Sequence, residues 1–194
     1  MLDNIRKYDV VLASKSPRRK ELLAMLDVPF EIRVKDGIDE SYPEDMPALE
    51  VPEFLSRLKG KAYAEGIRSK ELVITADTVV ILDGRIYGKP KDETDAVEML
   101  MQLQGRTHTV ASGVCVATKD KIVSFTTTTD VTFAPLTRDE ARWYVRKYRP
   151  LDKAGAYGIQ EWIGCVAVAG IDGSFYNVMG LPVHQLYNVL KDEF

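Results

Sequence analysis

The chain has 194 residues, of which 45% are hydrophobic and 28% charged, an ordinary globular balance that supports one substantial domain or one domain with a small lobe. A net charge of −3 and a pI near 5.5 lack the basic excess of nucleic-acid and anionic-membrane binders, so neither is an expected partner. The opening residues MLDNIRKYD contain no apolar leader and no run approaches membrane-spanning length, which makes a cytoplasmic protein the expectation.

Residues 10–13 form a short apolar strand, followed by a polar elbow, Ser14-Lys15-Ser16, and a helix to about residue 26. Ser16 suits the N-cap, and Pro17 suits the first helical position, where a missing N–H costs nothing. Arg18 and Arg19 then fall in the first turn, where the helix dipole disfavours cations. A fold that keeps two guanidiniums there has an anion to hold. Free N–H groups, the hydroxyls of Ser14 and Ser16 and the two arginines together suit phosphate oxygens; the alternative is a solvated helix start with two surface arginines.

A second strand is expected over 28–34, entered through Pro29, and then an acidic, turn-rich loop, KDGIDESYPED, holding Asp36, Asp39, Glu40, Glu44 and Asp45. The spacing of Phe54, Leu55, Leu58 and Ala62 predicts a helix over 52–66, with Lys59 beside Ala62 and Tyr63. Residues 72–82, LVITADTVVIL, predict a central strand buried on both faces and interrupted by one charge, Asp77. An ionised carboxylate in such a strand is expensive unless a cation, a metal or strong donors meet it. It is either a salt-bridged structural aspartate or a working one, with Thr78 on the opposite face of a regular strand.

Asp83-Gly84 predicts a hairpin whose return strand is 85–87. In the following GKP, Gly88 relieves steric limits and Pro90 fixes the chain, so Lys89 is framed in one direction and suits a ligand contact. A helix is expected over 94–104, capped by Asp92 or Thr94, with Ala96, Met99, Leu100 and Leu103 as its buried stripe and Gly105 as its stop. The methionines there are core filler. Two long strands follow, 107–118 and 121–133. His108 has no second ligand at metal spacing and reads as structural or substrate-adjacent.

Residues 137–147 form a helix with a Thr137/Glu140 capping box. The small side chains of RPLDKAGAYGIQEWIG, 149–164, describe a backbone passing close to something. Residues 165–171 are expected as a strand, Asp172-Gly173 as a turn, SFYNVMGLP as a lead-in and 183–191 as the last helix, with His184 an ordinary member. Cys115 and Cys165 sit in apolar strand-like runs without C-x-x-C spacing, so both are expected as buried, reduced thiols. Interleaved helices and strands, followed by long strands, indicate a mixed α/β domain with a curved sheet.

Several of these stretches resemble one family. S-x-S-P-R-R at 14–19, K-x-K-A from Lys59, A-D-T-V at 76–79, D-K-A-G-A-Y-G-I-Q at 152–160 and GSFYNVMGLP at 173–182 are similar to the Maf family, septum-formation proteins that are nucleoside-triphosphate pyrophosphatases. The resemblance spans most of the chain and treats residues 1–194 as one domain. It implies an α/β fold of the Maf and ITPase-like kind, a strongly curved mixed sheet flanked by helices with a central cleft between two lobes, in a homodimer.

The resemblance also implies that a nucleoside triphosphate is cleaved between its α and β phosphates. Asp77 would be the catalytic carboxylate. Ser14, Ser16, Arg18, Arg19, Lys59 and Lys89 would bind phosphate, with Lys153 as a further cation. The acidic pair Asp39 and Glu40 would point into the site. Cations and carboxylates together suit metal-assisted phosphoryl chemistry, with Asp77 and Glu40 holding Mg²⁺, or Mn²⁺ in its place.

Specificity positions of the family match Arg18, Thr78 and Gln160. A glutamine amide offers a donor and an acceptor side by side, which complements uracil or thymine. This selects the branch acting on dTTP, UTP and modified uridine triphosphates, a house-cleaning activity with a link to cell-division arrest. The alternatives are the 7-methyl-GTP branch and a non-catalytic, nucleotide-binding division regulator.

Overall fold

The computed structural model describes residues 2–64 and 66–194. In chain order the elements are β1 (Asp9–Leu12), α1 (Pro17–Ala24), β2 (Phe30–Ile32), α2 (Val51–Ala64), β3 (Glu71–Leu82), β4 (Arg85–Tyr87) and α3 (Glu93–Leu103). They continue with β5 (Thr107–Ala117), β6 (Ile122–Phe133), α4 (Arg138–Tyr148), α5 (Trp162–Val166), β7 (Val168–Asp172), α6 (Phe175–Met179) and α7 (Val183–Glu193). The strands form one sheet in the order β2-β1-β3-β5-β6-β7, with β4 paired to β3. β1 runs parallel to β2 and β3, whereas β4 and β7 pair antiparallel with β3 and β6. This is the mixed α/β class that the interleaved pattern indicates. Among the described residues no helix is long and apolar enough to cross a membrane.

The chain divides into two compact units, one made of Met1–Asp77, Ser112–Thr127 and Gly180–Phe194, the other of Thr78–Ala111 and Thr128–Met179. In the first unit β1 lies with a parallel neighbour on each side, and its Val10, Val11 and Leu12 are buried. Leu22 and Leu23 of α1 are fully buried, and Val11 clusters with Tyr63 of α2 and Val73 of β3. β2 is shorter than the expected 28–34 because it is an edge strand whose register with β1 runs from Phe30 to Ile32. The helix predicted over 52–66 ends at Ala64; Glu65, within that expectation, lies outside the described residues.

In the second unit Asp83 (φ 51°) and Gly84 (φ 75°) are both left-handed, the backbone a two-residue type I′ hairpin turn requires, and Val80 pairs with Tyr87 across it. Asp92 caps α3 by accepting the Asp95 N–H at 2.8 Å. Thr137 and Glu140 form the reciprocal capping box of α4. Leu100, Leu103, Phe133, Tyr144 and Ile163 build the core, with Met99 and Met101 partly buried against it as filler. Gly105 adopts φ 66° just past α3, but its N–H goes to the Ala134 carbonyl at 3.1 Å rather than back into the helix.

Two expectations fail between residues 162 and 179. The strand predicted over 165–171 begins only at Val168, because Trp162–Val166 forms a helical turn first. Gly164 permits that turn, since a Cβ there would stand 1.7 Å from the Ile159 carbonyl oxygen. Cys165 is consequently exposed, not buried, while Cys115 is buried as expected and burial raises its thiol pKa to about 11. Both are free thiols. The lead-in SFYNVMGLP contains the short helix α6.

Candidate active site

The polar elbow ends β1 and opens α1, at the carboxyl end of a parallel strand flanked on both sides, the position where open α/β sheets place their ligands. Ser16 is the N-cap, and its Oγ accepts the Arg19 N–H at 3.4 Å. Ser14 is buried and its Oγ accepts the Ser16 N–H at 3.2 Å. Each hydroxyl thus shapes the elbow as an acceptor, which leaves its proton as the group to offer a phosphate oxygen.

Arg19 turns inward. Its Nε donates to the Gly180 carbonyl at 2.8 Å and its Nη1 to the Ala76 carbonyl at 2.9 Å. Burial lowers its pKa, Asp77 and Glu40 pull the other way, and neighbouring Arg18 adds to the lowering. Part of this guanidinium is therefore spent on tying the elbow to β3 and to the segment before α7. Arg18 is half-buried beside it. The bond to Ala76 sets the elbow next to Asp77, the following residue of β3.

β3 is buried along its length except at Asp77 and Thr78, which are partly open. Asp77 Oδ1 accepts from Lys59 Nζ at 2.7 Å, and the same ammonium lies 2.9 Å from Glu40 Oε2. The side chains of Lys59 and Asp77 are 15% and 16% exposed, so this pair is well shielded, whereas Glu40 is 54% exposed and reaches in from the acidic loop. An ammonium has three protons, and two are directed at these carboxylates, so at most one serves a phosphate. Asp39, expected to point inward with Glu40, accepts the Ser41 N–H at 3.0 Å within its own loop.

Lys89, Thr78 and Gln160 belong to the second unit. Lys89 is exposed beside buried Pro90. Gly88 does not relieve a steric limit, since a Cβ there would meet nothing within 4 Å; the framing comes from its carbonyl, which accepts the Gly155 N–H at 3.1 Å. Gly155, at φ 66°, is the glycine that matters, because a Cβ would stand 2.8 Å from Val80. The economical backbone of 149–164 thus passes close to the protein's own strand β3. Gln160 is exposed at the end of a buried run, residues 155–159. Lys153 is not a solvent-facing cation: it is 8% exposed and paired with Asp152 and Glu161. Sequence reasoning missed Tyr144 and Glu161, which join that pairing, and the carbonyls of Ala76 and Gly180; no local signal marks any of them.

His108 is structural. It is 2% exposed, its Nε2 lies 2.8 Å from the Tyr157 hydroxyl, and it packs edge-on against Phe133 and Tyr157. Burial lowers its pKa to about 4, with Asp130 opposing weakly. The folded state keeps it neutral where an unfolded chain protonates it, so its contribution is complete above about pH 6.5 and is lost as pH falls towards about 4. The wild type should lose on the order of 3 kcal/mol more than His108→Phe over that window, read as urea midpoints at stepped pH.

Among the described residues no cluster of three or more His, Cys, Asp and Glu could hold a metal by itself. The donor set that is present, two carboxylates meeting at Lys59, fits a hard divalent cation that completes its shell with substrate phosphates and water. It offers no sulfur or imidazole for zinc.

Residues 9–193 match the model of the family Maf, described as Maf-like protein. The dTTP/UTP pyrophosphatase of Bacteroides thetaiotaomicron is 52% identical over 191 residues, covering 98% of this chain and 99% of that protein. That of Porphyromonas gingivalis strain W83 is 53% identical over 194 residues, covering 99% and 98%. A solved HAM1 protein from Coxiella burnetii aligns over 94% of this chain and 98% of its own at 13% identity and a TM-score of 0.46, too distant to add to the strand order itself. With the family pattern matched from the first strand to the last helix, this chain belongs to the Maf-like protein family.

Proposed function

We propose that this chain is a nucleoside-triphosphate pyrophosphatase that hydrolyses dTTP and UTP, with modified uridine triphosphates, to the nucleoside monophosphate and pyrophosphate. The observation that carries the reading is the partly open Asp77 of β3, held with Glu40 on Lys59 and set beside the Ser-Pro-Arg-Arg elbow by the Arg19 bond to Ala76. The names of the full-length relatives support the same activity.

In this reading a water attacks the α-phosphorus, the bond to the α–β bridging oxygen breaks, and pyrophosphate leaves with the negative charge. Asp77 takes the water's proton on the carboxylate oxygen that does not bear the Lys59 bond. Lys59 orients Asp77, while Arg18, Arg19, the two elbow hydroxyls and Lys89 stabilise charge on the phosphates. Asp77 and Glu40 would hold a divalent cation, Mg²⁺ or Mn²⁺, which supplies charge neutralisation at the phosphates when bound. Gln160 offers its amide to the pyrimidine, accepting from N3–H and donating to O4, with Arg18 and Thr78 as the other specificity positions.

The test is a panel of UTP, dTTP, CTP and 7-methyl-GTP, assayed for pyrophosphate with magnesium and with chelator. UTP and dTTP should lead the panel, and chelator should abolish turnover. Preference for the methylated purine places the enzyme in the sister branch, and no pyrophosphate from any of the four overturns the activity. Lys89→Ala should raise KM about tenfold with kcat changed less than about threefold; an unchanged KM removes Lys89 from phosphate binding.

A further inference from the structure

Gln160 is framed by side chains that have no part in the phosphoryl chemistry. Lys153 Nζ lies 2.8 Å from Asp152 Oδ1 and 3.2 Å from Glu161 Oε1. The second oxygen of Glu161 accepts the Tyr144 hydroxyl proton, and that hydroxyl accepts the Gly158 N–H at 3.0 Å. The Glu161 N–H closes back on the Gly158 carbonyl at 2.9 Å. Tyr144 is itself fully buried in α4 and stacks on Trp162 at 6.4 Å between ring centroids. Burial and the Glu161 carboxylate push its phenol well above the ordinary range, so it stays a neutral donor.

The geometry of this network has a direction. Lys153 precedes the segment and Glu161 follows it, so their pairing ties its two ends, and Tyr144 pins the middle at Gly158. Ala156, Tyr157 and Ile159 are at most 5% exposed, and Gln160 emerges between these fixed neighbours. Burying an ammonium costs several kcal/mol unless carboxylates meet it. Here two do, and what their arrangement produces is a surface amide on a backbone bonded on either side of it. An amide that must match a donor–acceptor pair on a base needs such a mount, because misplacement by about 1 Å can cost two orders of magnitude.

We propose that Tyr144, Lys153 and Glu161 are positioning residues that fix Gln160 and thereby set base selectivity, without themselves touching the nucleotide. The inference rests on the reading of Gln160 as the base contact. Its test is the ratio of kcat/KM for UTP to that for CTP in the full-length protein, in Tyr144→Phe, Lys153→Met, Gln160→Ala and the double variant Tyr144→Phe/Gln160→Ala. A loss of folded enzyme lowers both rates equally and leaves the ratio unmoved, so the readout is insensitive to simple destabilisation. Tyr144→Phe and Lys153→Met should each lower the ratio about tenfold, chiefly through a higher KM for UTP. In the Gln160→Ala background Tyr144→Phe should lower it no further. An unchanged ratio in both single variants, or an equal drop in the Gln160→Ala background, overturns the proposal. A wild type that releases no pyrophosphate from UTP or dTTP overturns the activity and the clamp with it; a selective wild type with indifferent variants overturns the clamp alone.

Discussion

Replacing Asp77 with asparagine should lower the rate of pyrophosphate release by about 10²–10⁴-fold, the range expected when a general base is removed, while the protein stays folded. The amide oxygen can still accept from Lys59, and Lys59 retains Glu40 at 2.9 Å, so no charge is left stranded. Urea midpoints should place Asp77→Asn within about 1 kcal/mol of wild type. The loss should appear in kcat, because an uncharged amide repels the polyphosphate no more than the carboxylate does. Near-normal turnover would remove Asp77 from the mechanism.

Lys59→Met should cost stability as well as activity. It leaves Asp77, 16% exposed, without the ammonium that meets it, beside a second carboxylate that shared it. Breaking a fully buried pair from one side costs about 3–5 kcal/mol. With both partners still touching solvent and Glu40 mostly exposed, screening reduces this to about 2 kcal/mol. Activity should fall about 10²–10³-fold, the cost of losing one preorganised charged donor. The diagnostic is the combination: Lys59→Met moves the urea midpoint and kcat/KM together, Asp77→Asn moves turnover alone. A Lys59→Met protein as stable as wild type would show that the ammonium does not hold the two carboxylates in solution.

What could be read along the chain follows a physical divide. The elbow was legible because capping is local: Ser16, Pro17 and the Arg19 N–H lie within one turn, and the expected cap forms. The Asp83-Gly84 hairpin, the Asp92 cap and the Thr137/Glu140 box were legible for the same reason. Asp77 stood out because a charge in an apolar strand has a price that any fold must meet. The identity of its partner did not stand out, since Lys59 is an ordinary helical lysine until α2 brings it to β3.

The errors have the same origin. Cys165 and Val166 belong to an apolar run, and apolarity alone cannot say which of its residues a tight helical turn will leave in solvent. Lys153 was expected as a further cation of the site, yet Asp152 and a glutamate eight residues on pair with it, and it is 8% exposed. Asp39 and Glu40 are adjacent and alike in sequence, but one bonds within its own loop and the other reaches Lys59.

By itself, then, the order of residues settled most of the elements up to α4, their caps, the mixed α/β class and the odd charge in β3, because each depends on contacts within a few positions or on the cost of burying a polar group. Tertiary structure alone decided that Arg19 is spent on the carbonyls of Ala76 and Gly180, that Lys59 holds Asp77 and Glu40 together, and that Gln160 is mounted on Lys153, Glu161 and Tyr144. Those pairings join residues as much as 161 positions apart, and nothing in local propensity or periodicity encodes which distant group will meet a given charge.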